Sequence, residues 1–313
     1  MIKSIFNYFW IGLLVYPLYF LIANEQTPYV TCQFNGQLGN QLFQIAATLA
    51  YAWDYGARPL FPELHRTDYQ IAYNREHIFF RLDASPLPRP VQYIYKEPSW
   101  AHSPRIPHQP DHYLIGFFQS WKHFHHHRNR LLKIFAPSKS INQYLRKKYG
   151  KLLAHPNTVS VHVRTFHEAV HYGGCPFLGL SYYERAMNLF PEDALFVVFS
   201  DRINWCKHHF AKFNKNMVFI EDNDHVQDLF LMAKLKHHII SNSSFAWWGA
   251  YLNTNPNKRV VTPRYWLNPR MHAHPLPDSF LFPEWIALDI DYEAPYPDDI
   301  RAYDAYSKSL DTQ

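Results

Sequence analysis

Ile240–Asn253 reads ISNSSFAWWGAYLN, and within its first five residues the chain changes character. A short apolar strand, 238–241, ends in Asn242, Ser243 and Ser244, after which the apolar residues take a helical spacing. Asn and Ser are the residue types that cap helix N-termini. A strand that turns into a helix this way leaves backbone N–H groups and two hydroxyls at the positive end of the helix, which are the elements of an anion seat. The same letters also describe an ordinary strand-to-helix connection with a good cap, so the neighbouring sequence has to separate the two readings.

Working outward, strand-like runs at 158–164, 194–200, 217–221, 237–241 and 259–262 alternate with helical runs near 181–190, 203–213, 225–236 and 244–252. Repeated βα alternation predicts a parallel sheet covered on both faces. In such sheets ligands bind outside the carboxyl ends of the strands, here Arg164, Ser200-Asp201, Glu221-Asp222 and Ser241-Asn242. Toward the N-terminus, Tyr29–Phe34 reads as a strand, Asn35–Gly39 as a loop, and Asn40–Tyr55 as a helix stopped by Gly56. Residues 57–112 are Pro-rich with little periodicity and read as an irregular elaboration. Tyr113–Gln119 is a strand candidate, and Leu131–Lys148 contains a basic helix. The divisions expected are an N-terminal α/β domain, 28–155, a Rossmann-like domain, 156–287, and a polar tail, 288–313.

Composition fits a globular chain: 47% hydrophobic, 18% charged and 18% aromatic over 313 residues. The aromatic share suits a carbohydrate-facing cleft and equally a plain aromatic core. A formal charge of +5 is too mild to point to nucleic acid. Cys32, Cys175 and Cys206 form neither a disulfide framework nor a zinc pattern. Residues 5–23 are uncharged and apolar, with Lys3 before and Glu25 after. They are just long enough to span a bilayer, with Pro17 as a kink. A single-pass membrane anchor is the expectation, a cleaved signal peptide its rival.

In Thr158–Arg164, TVSVHVR, Val159, Val161 and Val163 share one face, and Ser160, His162 and Arg164 the other. Arg164 therefore arrives at the carboxyl end of a buried strand, where a guanidinium can hold a diphosphate through paired hydrogen bonds. A structural ion pair is its plainer role. His162 reads equally as a contact to a base or as a satisfied core histidine. The loop Gly36–Gln41, GQLGNQ, allows close backbone approach to a ligand but lacks the dinucleotide and P-loop fingerprints. Asp201 sits at a strand end and Asp228 early in a helix, each open to ligand contact or to capping. Asp222-Asn223-Asp224 and Asp289-Ile290-Asp291 match a metal-binding D-x-D pattern but read as a turn and an acidic tail. His123, His125, His126 and His127 could bind metal adventitiously, but adjacent histidines do not converge as helical i, i+4 pairs do, and they read as a solvated loop.

Taken together, FNGQLGNQLFQIA (34–46), VSVHVR (159–164), FVVFSD (196–201) and QDLFLMAKLKHHIISNSSFAWWGAYLN (227–253) resemble glycosyltransferase family 11, the α-1,2-fucosyltransferases. The resemblance implies a GT-B architecture, two facing Rossmann-like domains with parallel sheets, and metal-independent, inverting transfer of L-fucose from GDP-β-L-fucose to the 2-OH of a terminal galactoside. It would place Arg164 on the β-phosphate, His162 on guanine or ribose, and Asp228 on the nucleoside. Asn242, Ser243 and Ser244 would bind the diphosphate, Phe245 would pack beside the nucleotide, Asp201 would line the site, and Asn40 would reach in from the other domain. The family reads H-V-R-R-G-D where this chain has His162-Val163-Arg164-Thr165-Phe166-His167. His167 and Glu168 are the candidates for the acceptor's base, by position. The rivals are a D-x-D metal-dependent transferase and a degenerate member that binds glycan or nucleotide without transfer.

Overall fold

The structure is a computed structural model that describes residues 27–98, 104–165, 176–267 and 279–290. It contains two parallel sheets. The first comprises β1 (Tyr29–Cys32), β2 (Arg58–Pro59), β3 (Tyr93–Lys96) and β4 (His112–Ile115), in the order β2-β1-β4-β3. The second comprises β5 (Thr158–Val163), β6 (Leu195–Ser200), β7 (Met217–Phe219), β8 (His237–Ile239), β9 (Val260–Pro263) and β10 (Ile286–Leu288), in the order β10-β9-β8-β5-β6-β7. From β5 the chain runs outward through β6 and β7, then returns to lay β8, β9 and β10 on the other side. This is the doubly wound order, and its reversal falls between β5 and β8, where such folds open a ligand crevice. The expected fold class, GT-B with two facing parallel sheets, is the one observed.

The helices are α1 (Leu38–Tyr55), α2 (Ile71–His77), α3 (Arg128–Ile134), α4 (Lys139–Leu153), α5 (Gly179–Met187), α6 (Ile203–Phe210), α7 (His225–Lys234) and α8 (Ser244–Leu252). All six residues of β5 are buried, as a strand covered on both faces requires. Val159, Val161 and Val163 pack in one cluster with Tyr182, Tyr183, Trp205 and Phe210. The opposite face carries Ser160 and His162, whose polar atoms are matched by β8 and the turn after it. His238 bonds Ser160 Oγ through Nδ1 at 2.8 Å and accepts from Asn253 Nδ2 at Nε2, 2.7 Å away. An amide nitrogen can only donate, so the His238 proton is on Nδ1 and the ring is neutral.

The second core cluster runs through both halves of the molecule. From α1 it includes Leu42, Phe43, Ala46 and Ala50, and from α8 Trp247, Trp248 and Tyr251. Phe43 lies 4.6 Å from Trp247 and 5.2 Å from Trp248, ring centre to ring centre. The aromatic content thus builds a core that bolts the two helices together, each fully buried ring contributing roughly 1.5–3 kcal/mol. The far end of α8 is fixed by two cations, as its dipole favours. Lys258 Nζ donates to the carbonyls of Ala250 (2.9 Å) and Asn253 (2.7 Å), and Arg128 Nη2 to those of Tyr251 (3.0 Å) and Asn253 (2.9 Å).

Several expectations are corrected. Residues 57–112 are not irregular throughout: they hold α2, β2 and the edge strand β3, which β4 pairs in parallel register. The basic helix is two helices, α3 and α4, because Pro137 cannot continue one. The 113–119 strand ends at Ile115, and Phe118 adopts φ 51° in the loop beyond. The histidine cluster is not a solvated loop but two 3₁₀ turns folded onto α1. Among the described residues no helix is long and apolar enough to cross a membrane. Residues 5–23 lie outside the described residues, so the single-pass anchor, which rested on hydropathy alone, is withdrawn.

Candidate functional site

Two helix N-termini meet at the cleft between the sheets. β1 leads through Gly36 into α1, and β8 leads through Ser241–Ser243 into α8. Neither helix has an acidic residue in its first turn, and neither Gln37 nor Ser243 caps with its side chain. Neither first turn therefore has a side-chain acceptor, though Asn40 N donates to the Gln37 carbonyl at 2.9 Å, and both dipoles present positive ends toward the cleft. The approach is close because Gly39 has no side chain: a Cβ on it would lie 2.5 Å from Phe245 N and 2.6 Å from Ser244 Oγ. Gly36, at φ +81°, makes the turn that precedes α1.

Polar bonds then tie the halves. Ser244 Oγ donates to Asn40 Oδ1 at 2.8 Å, and Gln119 Nε2 donates to the same oxygen at 2.9 Å. On the other side of the cleft His225 Nε2 meets Asn74 Oδ1 at 2.6 Å, Asn74 Nδ2 donates to Gln41 Oε1 at 2.8 Å, and Gln41 Nε2 to the Gly36 carbonyl at 2.9 Å. Tyr73 donates to Asp224 at 2.7 Å. The Pro-rich region thus supplies, through α2, part of the frame that holds α7 against the glycine loop.

The cleft encloses about 880 Å³. Of the residues singled out from sequence, Asn40, His162, Arg164, Asp201, Asp228, Asn242, Ser243, Ser244 and Phe245 all line it. His167 and Glu168 lie outside the described residues. Arg164 keeps 35% of its side chain exposed while its Nη1 bonds Asp201 Oδ2 at 2.9 Å. The same carboxylate accepts from Thr165 N (3.1 Å) and Thr165 Oγ1 (3.0 Å). Asp201 is thus a clamp that fixes the turn after β5 and aims Arg164. Thr165 is fully buried by this clamp, so the position where the family places a second arginine faces inward.

His162 Nδ1 bonds Ser241 Oγ at 2.8 Å across the β5–β8 switch point, and its ring lies 5.7 Å from that of Phe245. Burial first, then the Arg164 charge, push its pKa down to about 3, so the imidazole is neutral at any physiological pH. Asn242 is 4% exposed and donates to the carbonyls of Pro176 (3.0 Å) and Trp266 (3.1 Å), which pins the turn. Asp228 is held by Asn223 Nδ2 at 3.0 Å, yet burial raises its pKa to about 6.

Gln119, His225, Phe199 and Trp266 also line the cleft, and sequence reading missed them. His225 had a signal, since it follows Asp224, which caps α7 in a capping box with Gln227. Asp222 sits exposed at φ 58°, and Asp224 Oδ1 accepts from Val226 N and Gln227 N, both at 2.8 Å. Neither aspartate lines the cleft.

Comparison with known proteins follows the same outline. The α-1,2-colitosyltransferase of Escherichia coli is 35% identical over 164 residues, 49% of this chain and 55% of that protein. The chain thus spans about half the length of the bacterial relative it matches. Galactoside α-(1,2)-fucosyltransferase 2 of Sus scrofa is 28% identical over 82% of this chain and 78% of its own. Among solved structures, the fucosyltransferase NodZ from Bradyrhizobium superposes with a TM-score of 0.52 at 12% identity, covering 80% of this chain and 97% of that one, a likeness of fold. The profile described as glycosyl transferase family 11 matches residues 93–289, well over half of the chain. The chain belongs to glycosyltransferase family 11.

Proposed function

We propose that the chain transfers L-fucose from GDP-β-L-fucose to the 2-OH of a terminal galactoside, with inversion and without a metal on the diphosphate. The observation that carries this reading is the convergence of Arg164 with two helix N-termini, lacking side-chain caps, at the β5–β8 switch point. As the glycosidic bond breaks, negative charge builds on the leaving diphosphate. Oriented N–H dipoles and a guanidinium aimed there stabilise it in the role that a metal plays elsewhere. Asp224 is committed to capping α7, which argues against a D-x-D metal site. The neutral His162 and Phe245 would flank the nucleoside, Asp228 would accept from it, and Asn40 would face the sugar–phosphate junction. His167 or Glu168 would take the acceptor proton. Relatives named for α-(1,2)-fucosyl transfer support the linkage, and the fold shared with a NodZ α-1,6-fucosyltransferase co-crystallised with GDP supports a GDP-linked donor.

The test is release of GDP from GDP-fucose with a β-galactoside acceptor. Arg164→Ala is expected to lower kcat by about 10²–10³-fold with the melting temperature retained, and EDTA to change nothing. Near-wild-type turnover in that variant would refute the assignment. Because the 35%-identical relative is named for colitose, GDP-colitose is assayed alongside. A second reading, nucleotide binding without transfer, is favoured by the inward-facing Thr165. It is supported if GDP raises the melting temperature while no donor is turned over.

A further inference from the structure

Far from the cleft, two imidazoles converge on one carboxylate. Asp54 lies in the last turn of α1, about 21 Å along that helix from Asn40. His126 Nε2 is 3.1 and 3.0 Å from the two Asp54 oxygens, and His127 Nε2 is 2.7 Å from Oδ1. The three ligand atoms lie within 4.8 Å of one another. The backbone that presents them is anchored: Phe124 is fully buried, His127 N donates to the Phe124 carbonyl at 2.9 Å, and the His127 ring packs edge-on to Trp53 at 5.1 Å. Arg130 covers Trp53 from above at 4.0 Å. Both histidines, at the end of the second 3₁₀ turn, offer the same nitrogen to the same carboxylate.

From this we infer that Asp54, His126 and His127 bind a zinc-class divalent cation. Zinc sets its nitrogen and oxygen ligands at roughly 2.0–2.1 Å in a tetrahedron, hence roughly 3.3 Å apart, so side-chain rotation of no more than about 1.5 Å closes the site. Two imidazoles and one carboxylate suit a borderline ion. Hard cations need six or more oxygens and would find one residue. Asp54 and His126 also line a second cavity of about 500 Å³ with Arg105, Lys122 and His123, which leaves room for water at the fourth position. The charges of Arg105 and Lys122 on that wall mean that affinity comes from the imidazoles rather than from general negative charge. Binding clips the end of α1 to the turn that opens α3.

The experiment is titration of the metal-free chain with Zn²⁺ by calorimetry, and with Co²⁺ to read tetrahedral coordination from its visible absorption. One Zn²⁺ per chain is expected, with a rise in melting temperature. Loss of an outer-shell partner alone costs about 10–100-fold in affinity, so Asp54→Asn and His127→Gln should each weaken binding at least about tenfold. The exposed His126→Gln tests the same site where folding is not at issue. His208→Gln, elsewhere on the surface, should leave binding unchanged and controls for the chain's 20 histidines. Wild-type affinity in all three site variants, or a Co²⁺ spectrum without tetrahedral bands, overturns the inference.

Discussion

Gly39→Ala tests whether the closeness of two helix ends is what makes the cleft. The new methyl would sit 2.5 Å from Phe245 N, 2.6 Å from Ser244 Oγ and 2.7 Å from Ser244 C. Two of those atoms are backbone at the start of α8, pinned by the aromatic core behind them, so α1 and α8 must separate by about 0.5–1 Å to restore ordinary contact. Forced overpacking of this kind costs about 1–3 kcal/mol. In a helix, Gly→Ala otherwise gains up to about 1 kcal/mol, so the net change is a loss of about 0–2 kcal/mol. Gly150→Ala in α4, where a Cβ would meet nothing within 4 Å, shows that gain undiluted. The larger effect falls on turnover, because a displacement near 1 Å costs about 10²-fold. The assay pairs urea denaturation of both variants with GDP affinity and donor turnover. If Gly39→Ala is as stabilising as Gly150→Ala and binds GDP like the wild type, the idea that glycine sets the spacing of the anion seat fails.

Two further outcomes follow from the site's polar groups. Burial lifts the Asp228 pKa from 3.8 to about 6; the folded state therefore holds this proton more tightly than the unfolded chain, and the stability it confers below pH 4 is lost as pH rises through 6. Asp228→Asn should match the wild type at pH 4 and exceed it by up to about 3 kcal/mol at pH 7, while binding GDP more weakly; denaturation midpoints across that range check it, and a pH-independent difference contradicts it. Asn40→Ala removes the acceptor shared by Ser244 Oγ and Gln119 Nε2, at a cost of about 1–3 kcal/mol, read as a lower melting temperature together with a raised Kd for GDP.

Much of the site was legible in the chain because its residues stand at strand ends that periodicity locates. The alternation in Thr158–Arg164 put Arg164 at a carboxyl terminus, and the switch from apolar strand to Asn242-Ser243-Ser244 put a helix start beside it. What alternation could not show was which partners meet the second face of β5, where His162 is matched by Ser241, 79 residues away in sequence. Nor did Pro-rich composition reveal β3, whose sheet position comes from pairing with β4 rather than from its own pattern.

The sequence by itself determined the parallel βα alternation of the second half, the helix that opens at Ser244, and the kinds of residue available to an anion, since these follow from side-chain period and capping chemistry within a few residues. Only tertiary structure decided that α1 and α8 converge, that Asp201 turns toward Arg164 and Thr165, and that α2 braces α7. Those contacts join residues far apart along the chain, and their energy depends on distances that local sequence does not encode. The proposed anion seat is therefore local in its chemistry and global in its placement.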